Sequence, residues 1–281
     1  MPVLIPSDMG TLSHVALTPE HGAPEQWVIF LHGLLGRGGN WRSFARRWVE
    51  AHPSWGVLLA DLRLHGGSQQ GFSPPHSVPA AAADVLSLVD ATPRRVSAVV
   101  GHSLGGKVAL ATLRARPGAF SRVVVLDASP AARPDGTGSE QSRDILALLR
   151  RLPERFPSRA AFVSAVESAG QPRDIAQWLA MNLAPEPEGG FGLTIDLDGM
   201  ESLFRSVLSE DDWDVVSALP DRIRLTFIVG ANSGVVEPET GTRLAQLPRV
   251  RVEVIPNAGH WLHVDAPEAT FAAVARALLG D

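Results

Sequence analysis

One stretch constrains this chain more than any other. From Val96 to Leu113 it reads VSAVVGHSLGGKVALATL, an apolar run rich in valine that passes through Gly101-His102-Ser103-Leu104-Gly105 directly into an apolar helical pattern. A strand that becomes a helix within so few residues forces the central residue of the turn into a strained backbone conformation. Glycines must flank it, because side chains there would collide with neighbouring backbone. Ser103 is then exposed at the N-terminus of the helix, where the helix dipole and the N–H of Leu104 can stabilise negative charge forming beside its hydroxyl. A bare G-x-S-x-G string arises often by chance, and its glycines can serve only to let a helix pack closely on a sheet. Set between a strand and a helix, the string points to a nucleophilic serine.

The rest of the chain repeats that alternation. Apolar runs at Trp27 to Leu31, Val57 to Ala60, Val96 to Val100, Val123 to Leu126, Leu225 to Val229 and Val250 to Ile255 read as strands, separated by helix-period segments. This is the pattern of an α/β fold: a mostly parallel, doubly wound sheet covered by helices on both faces. Trp41, Phe44, Ala45, Trp48 and Val49 recur at helical spacing behind Asn40, which is placed to cap them. Near the other end Asp265 precedes Pro267, and Phe271, Val274, Ala275 and Leu278 mark one stripe of a final helix.

The alternation stops after Asp127 and resumes near Leu225, leaving roughly ninety residues where a short crossover would serve. The expected organisation is therefore a core of residues 1–130 and 220–281 with an inserted helical cap at 131–219. Within the insertion, Ile145, Leu146, Leu148, Leu149 and Leu152 follow a helical period, as do Ala160 to Ala169 and Asp174 to Leu183. Pro185, Pro187, Gly189, Gly190 and Gly192 suggest a flexible connection. Phe156, Phe162, Trp178, Met181 and Phe204 are candidates for lining an apolar pocket, although such residues more often form helix core.

Length and composition suit this plan. At 281 residues, with 45% hydrophobic and 20% charged side chains, the chain can bury one α/β core plus an insertion. The formal charge of -5 carries no basic run, so a nucleic-acid partner is not expected. Cysteine is absent, which removes disulfides, thiolate nucleophiles and cysteine-based metal sites together. The N-terminal MPVLIPSDMGTLSHVAL lacks the features of an export signal and no segment approaches ~20 uninterrupted apolar residues, so a cytoplasmic protein without a membrane span is the expectation.

A serine hydroxyl becomes a competent nucleophile only when a base takes its proton, and imidazole suits that task near neutral pH. Of nine histidines, His260 is best placed: it follows the last strand through Pro256-Asn257-Ala258-Gly259, on the edge where Ser103 also lies, and the order serine before histidine agrees. His263 is the alternative, or else a pocket or helix-end residue. The pair could bind metal, but no third ligand or HExxH string accompanies it. The carboxylate that should orient the imidazole is less constrained. Asp127 directly follows a strand and is preferred; Asp198 and Glu237 remain open, and Asp127 could instead cap the following turn with Ser129. His32-Gly33-Leu34-Leu35-Gly36 follows the first clear strand, where the N–H of Leu34 could join that of Leu104 in an oxyanion hole. Phosphate binding there lacks the required glycine spacing.

At HGLLG from His32, DLRLHGGS from Asp61, GHSLGG from Gly101, LDASP from Leu126, VGANS from Val229 and PNAGHWLHVDAP from Pro256, the chain resembles the α/β-hydrolase superfamily. Within it, the likeness is to the small bacterial esterases and the mitochondrial abhydrolase-domain proteins. The resemblance implies Ser103 and His260 as nucleophile and base, with Asp127 as the acid in the bacterial pattern and Asp198 in the mitochondrial one. It implies hydrolysis of short to medium acyl esters, or acyl thioesters and glycerides, with no metal or organic cofactor. Asp61, Arg63 and His65 match a family motif whose expected role is to brace the oxyanion loop. Two other functions fit the same residues: a cofactor-free perhydrolase or haloperoxidase-like enzyme, and a hydrolase-fold receptor that binds ligand without turnover. Oligomeric state is not legible.

Overall fold

The computed structural model describes Leu4–Ile5 and residues 10–280. The chain enters through two short strands, β1 (Leu4–Ile5) and β2 (His14–Leu17), and then alternates: β3 (Gln26–Leu31), α1 (Arg42–Ala51), β4 (Trp55–Ala60), α2 (Val78–Ala91), β5 (Val96–His102), α3 (Leu104–Ala115) and β6 (Arg122–Leu126). The insertion contributes α4 (Glu140–Arg151), β7 (Arg155–Phe156), α5 (Arg159–Ser168), α6 (Arg173–Leu179), β8 (Leu183–Pro185), β9 (Phe191–Leu193), α7 (Leu197–Ser209) and α8 (Trp213–Ser217). Alternation then resumes with β10 (Arg224–Gly230), α9 (Pro238–Ala245), β11 (Val250–Ile255), α10 (Leu262–Asp265) and α11 (Pro267–Leu279).

The main sheet runs in the order β1-β2-β4-β3-β5-β6-β10-β11. The strands from β4 to β11 in this order are parallel, and the β2 and β1 edge is antiparallel. The inner parallel strands read as nearly continuous apolar runs because both faces are covered, whereas the edge strand β11 carries Arg251 and Glu253. On one face Ile29, Leu31 and Val99 join the core under α2 and α3. On the other, Val28, Phe30, Ala98 and Val100 meet Trp41, Trp48 and Val274 from the α1 and α11 side. Successive residues thus serve opposite cores, the period of two that a pleated strand imposes. Each such side chain taken fully out of water contributes roughly 1.5–3 kcal/mol.

Register carries this order to the functional edge. His102 stands opposite Leu126 across β5 and β6, and Leu126 opposite Ile228 across β6 and β10. The ladders extend one step further, with Ser103 N–H donating to Leu126 O and Asp127 N–H to Ile228 O. Ser103 and Asp127 therefore leave the sheet at one level.

The insertion is more than helical. Its β7, β9 and β8 form a separate antiparallel sheet. The proline- and glycine-rich stretch expected to be a flexible connection is a hairpin, closed by Glu186 N–H to Gly190 O, with Gly189 and Gly190 at φ 91° and 82°. Asn40 does not cap α1. It lies in a 3-10 turn, Gly38–Trp41, where its Oδ1 accepts the Arg37 N–H at 2.7 Å, and Trp41 holds the cap position. The β2 edge strand and α2 lack a strong sequence signal, since β2 has only four residues and the alanine-rich α2 has a weak apolar stripe; α2 starts where Ser77 Oγ accepts the Ala80 N–H.

Candidate active site

The turn between β5 and α3 is as tight as the glycines imply. Ser103 adopts φ 53° and ψ -115°, a conformation that costs about 1–3 kcal/mol. A Cβ at Gly101 would lie 2.1 Å from Gly105 O, and one at Gly105 would lie 2.5 Å from Leu31 O. Neither position accepts a side chain without displacing main chain, so the turn packs directly onto β3. Ser103 is half-buried and caps α3, its carbonyl accepting the N–H groups of Gly106 and Lys107 at 2.9 and 3.1 Å.

Asp127 follows β6 at φ 47° and is fully buried. Its Oδ2 accepts hydrogen bonds from His260 Nδ1 at 2.6 Å and from the Ser233 hydroxyl at 2.5 Å, while Oδ1 accepts the Gly230 N–H at 3.1 Å. Three donors hold one buried carboxylate in place. It does not cap the next turn; Ser129 Oγ takes the Ala131 N–H by itself.

His260 lies in the loop after β11, held at several points. Beside the Asp127 bond, its carbonyl accepts a hydrogen bond from His102 Nε2 at 2.8 Å, and the neighbouring Gly259 N–H donates to Asp265 Oδ2 at 2.8 Å. Burial and the neighbouring histidines lower the pKa of His102 well below its ordinary value, which keeps it neutral in this role. With Nδ1 committed to Asp127, the Nε2 of His260 is the ring nitrogen left to work in the cavities that His260 lines together with Ser103.

The alternatives are elsewhere. Asp198, in the first turn of α7, is largely exposed and pairs with Arg150 at 2.5 Å. Glu237, at the start of α9, is half-exposed and stands 3.8 Å from Arg133. His263 packs its ring 4.3 Å from that of Trp41, and burial lowers its pKa to about 4.

The loop after β3 comes into contact with the turn: a Cβ at Gly33 would lie 3.0 Å from His102 Nδ1 and 3.4 Å from Ser103 Cβ. Leu35, at φ 62°, gives its N–H to His65 Nε2 at 3.0 Å, so that amide is committed to the scaffold. Leu34 lines the cavity beside Ser103, and Leu104 follows Ser103 in the chain. The DLRLHGGS segment braces this loop. Asp61 accepts the N–H groups of Gly38 and Gly67, at 2.7 and 2.8 Å, and Arg63 makes a two-pronged pair with Asp84, at 2.6 and 2.9 Å.

Two cavities meet at Ser103 and His260. The wider, about 220 Å³, mixes Arg133, Glu140 and Asn232 with Val207, Leu208 and Val235. The narrower, about 20 Å³, is bounded by Leu34, Ile145, Trp178 and Trp261 together with Gln141 and Ser142. Of the pocket candidates in the insertion, Trp178 alone lines either one. Phe156 and Phe162 pack edge to face at 5.1 Å and, with Phe204, belong to the core, and Met181 is exposed. Sequence reasoning passed over His102, Ser233 and Asp265. Ser233 stands in the VGANS motif from Val229, whereas nothing local marks the other two as partners of the His260 loop.

Among the described residues no helix is long and apolar enough to cross a membrane. Residues 28–274 match the family model described as "Alpha/beta hydrolase family". A mouse protein named "sn-1-specific diacylglycerol lipase ABHD11" is 32% identical over 250 residues, 86% of this chain and 77% of that protein. The Escherichia coli protein "Esterase YbfF" is 30% identical over 258 residues, 89% and 92% of the two chains. The solved structure of a "Marine microorganism esterase" superposes with a TM-score of 0.81 at 22% identity, over 95% of this chain and 99% of that one, a likeness of fold.

Proposed function

Because this chain belongs to the alpha/beta hydrolase family, we propose that it is a serine carboxylesterase that cleaves short to medium acyl esters, or acyl thioesters, through an acyl-enzyme on Ser103. The observation that carries this reading is the convergence of a strained Ser103 at a helix N-terminus with a His260 whose Nδ1 is held at 2.6 Å by a buried carboxylate. The relatives named esterase and lipase support an ester as the substrate.

In this mechanism His260 Nε2 takes the proton of the Ser103 hydroxyl as Oγ attacks the ester carbonyl. The oxygen that gains charge is held by the N–H groups of Leu34 and Leu104, which are fixed before the reaction and so cost no reorganisation during it. Collapse of the tetrahedral intermediate expels the alcohol, which receives the proton from His260. Water, deprotonated by the same nitrogen, then attacks the acyl-enzyme, and the new intermediate releases the acid as Ser103 Oγ leaves and takes the proton back from His260. Asp127 keeps the proton on Nδ1 and favours the imidazolium that forms in both half-reactions. Residues 131–219 act as a cap over the site, supported by the contribution of Ser139, Ile145 and Trp178 to its walls.

The test is hydrolysis of p-nitrophenyl esters from acetate to palmitate by the wild type and by Ser103→Ala. Activity confined to the wild type is the expected result. Hydrolysis that survives in the variant would remove Ser103 from the chemistry.

A further inference from the structure

We infer that Asn182, which belongs to the insertion, is a positioning residue for the oxyanion hole: it aims the Leu34 N–H through two peptide planes in series. This rests on the serine-esterase reading of the same site.

The loop after β3 turns sharply at Gly33-Leu34-Leu35-Gly36, closed by the Gly36 N–H donating to Gly33 O at 3.1 Å. Leu35 takes the left-handed conformation there, at φ 62°, which a leucine keeps only when its surroundings hold it. Gly33 O and the Leu34 N–H are opposite ends of one planar trans peptide, so whatever fixes the oxygen also aims the N–H. Two donors fix that oxygen: the Gly36 N–H and, at 2.8 Å, His32 Nδ1. Among the described residues no acceptor takes the Leu34 N–H, which leaves it to a ligand.

The Gly36 N–H in turn shares its peptide plane with Leu35 O. That oxygen accepts a hydrogen bond from Asn182 Nδ2 at 3.2 Å, and Asn182 is buried, at 7% exposure. Asn182 therefore holds one end of the plane whose other end holds Gly33 O. His65 takes the Leu35 N–H, so Leu35 is gripped at both main-chain groups, by the core on one side and by the insertion on the other. Without the Asn182 donor, Leu35 O loses its partner and the Gly36 plane is free to tilt.

Asn182 is itself well anchored. It ends a 3-10 turn, Ala180–Asn182, that follows α6, and its carbonyl accepts the Thr194 N–H at 2.9 Å and the Thr194 hydroxyl at 3.0 Å. Arg159 of α5 donates to Ala180 O and Leu183 O on either side of it, at 2.5 and 2.6 Å. From the core, Arg37 donates to Met181 O. The helix that leads into this turn carries Trp178, which walls the narrow cavity at Ser103. One segment of the insertion thus shapes the site and completes its oxyanion hole, and the hole is aligned only while that segment is seated on the core.

The experiment measures kcat and KM for p-nitrophenyl acetate, and Ki for butyl trifluoromethyl ketone, with the wild type, Asn182→Ala, Asn182→Asp and Met181→Ala. Ser103 Oγ adds to the ketone carbonyl as its proton passes to His260, and the carbonyl oxygen becomes an oxyanion in the hole, so Ki reads the hole directly. Asn182→Asp keeps the side-chain volume and replaces the donor by an acceptor, so it tests the bond even if the alanine variant folds poorly. Both Asn182 variants should lower kcat by about five- to fiftyfold, leave KM within about twofold and raise Ki by the same factor as kcat falls. Met181→Ala, at the exposed neighbour, should leave all three within about twofold. Loss of folded protein lowers kcat but leaves Ki where it was. Wild-type kinetics in both Asn182 variants, a change in KM alone, or a fall in kcat with Ki unchanged would overturn the assignment. Ser103→Ala separates the two levels: if it is inactive while the Asn182 variants match the wild type, the serine mechanism stands and the role of Asn182 falls; if it stays active, the mechanism itself falls.

Discussion

His32 and His65 each hold the loop that carries the other. His32 Nε2 accepts the N–H of Leu62, three residues before His65, and His65 Nε2 accepts the N–H of Leu35, three residues after His32, both at 3.0 Å. Their Nδ1 atoms donate to Gly33 O and Arg63 O, each at 2.8 Å, and the rings meet edge to face at 4.8 Å. Each Nε2 must be unprotonated to accept, so the loop bearing Leu34 depends on two neutral imidazoles.

The pH dependence of stability follows. Burial, the largest cause in both, lowers His32 to about 4 and His65 to about 3, against 6.5 for a free imidazole. The unfolded chain therefore binds more protons than the folded one below pH 6.5, and stability is full above that value and falls as pH drops toward 4. In that window each histidine contributes a slope approaching ~1.4 kcal/mol per pH unit. Urea unfolding at pH 7.5, 6, 5 and 4.5 should show the midpoint dropping with acidification, and His65→Gln should lower the midpoint at pH 7.5 while flattening the drop. A midpoint level from pH 7.5 to 4.5 would contradict the neutral-imidazole brace.

Asp127→Asn should lower kcat by about 10²–10⁴ with the fold intact, because an amide can hold His260 in the wrong tautomer. Asp198→Asn removes an exposed partner of Arg150 and should leave kcat within about threefold. Ester kinetics on both variants decide between the two acids; the reverse ranking would move the orienting carboxylate into the insertion.

Ser233 donates to the carboxylate oxygen that faces His260. Removing the hydroxyl takes away one of three bonds that fix Asp127, so Ser233→Ala should reduce kcat by about three- to thirtyfold and alter KM little. A kcat equal to that of the wild type would reduce Ser233 to loop packing, a role consistent with its second bond, accepted from the Val235 N–H.

The single lysine of the chain ties the nucleophile helix to the insertion. Lys107 Nζ, one turn after Ser103, donates to Glu210 O at 2.7 Å and Asp212 Oδ2 at 3.0 Å, and both side chains of the pair are nearly inaccessible. Lys107→Met strands the Asp212 carboxylate with Arg114 alone, at 3.3 Å, and should cost about 3–5 kcal/mol. The double variant Lys107→Met/Asp212→Asn should recover part of the loss. Denaturant titrations giving equal stabilities for the wild type and the single variant would show the pair to be dispensable.

The sequence by itself determined the sheet and the turn at Ser103. Runs such as Val123 to Leu126 are apolar on both faces because both are covered, and Gly101 and Gly105 leave one way for a strand to become a helix; these signals are local, written in spacings of a few residues. The tertiary structure decided what no spacing encodes. Which of Asp127, Asp198 and Glu237 would meet His260 depended on the register of β6, β10 and β11, which brings together groups 133 residues apart. The hairpin in the insertion, the grip of His102 on the His260 carbonyl and the choice of Trp178 over four other apolar candidates had the same origin. Periodicity says that a side chain is buried; only packing between elements distant in sequence says against what, because that contact is selected by the closure of the whole core and not by the propensity of any segment.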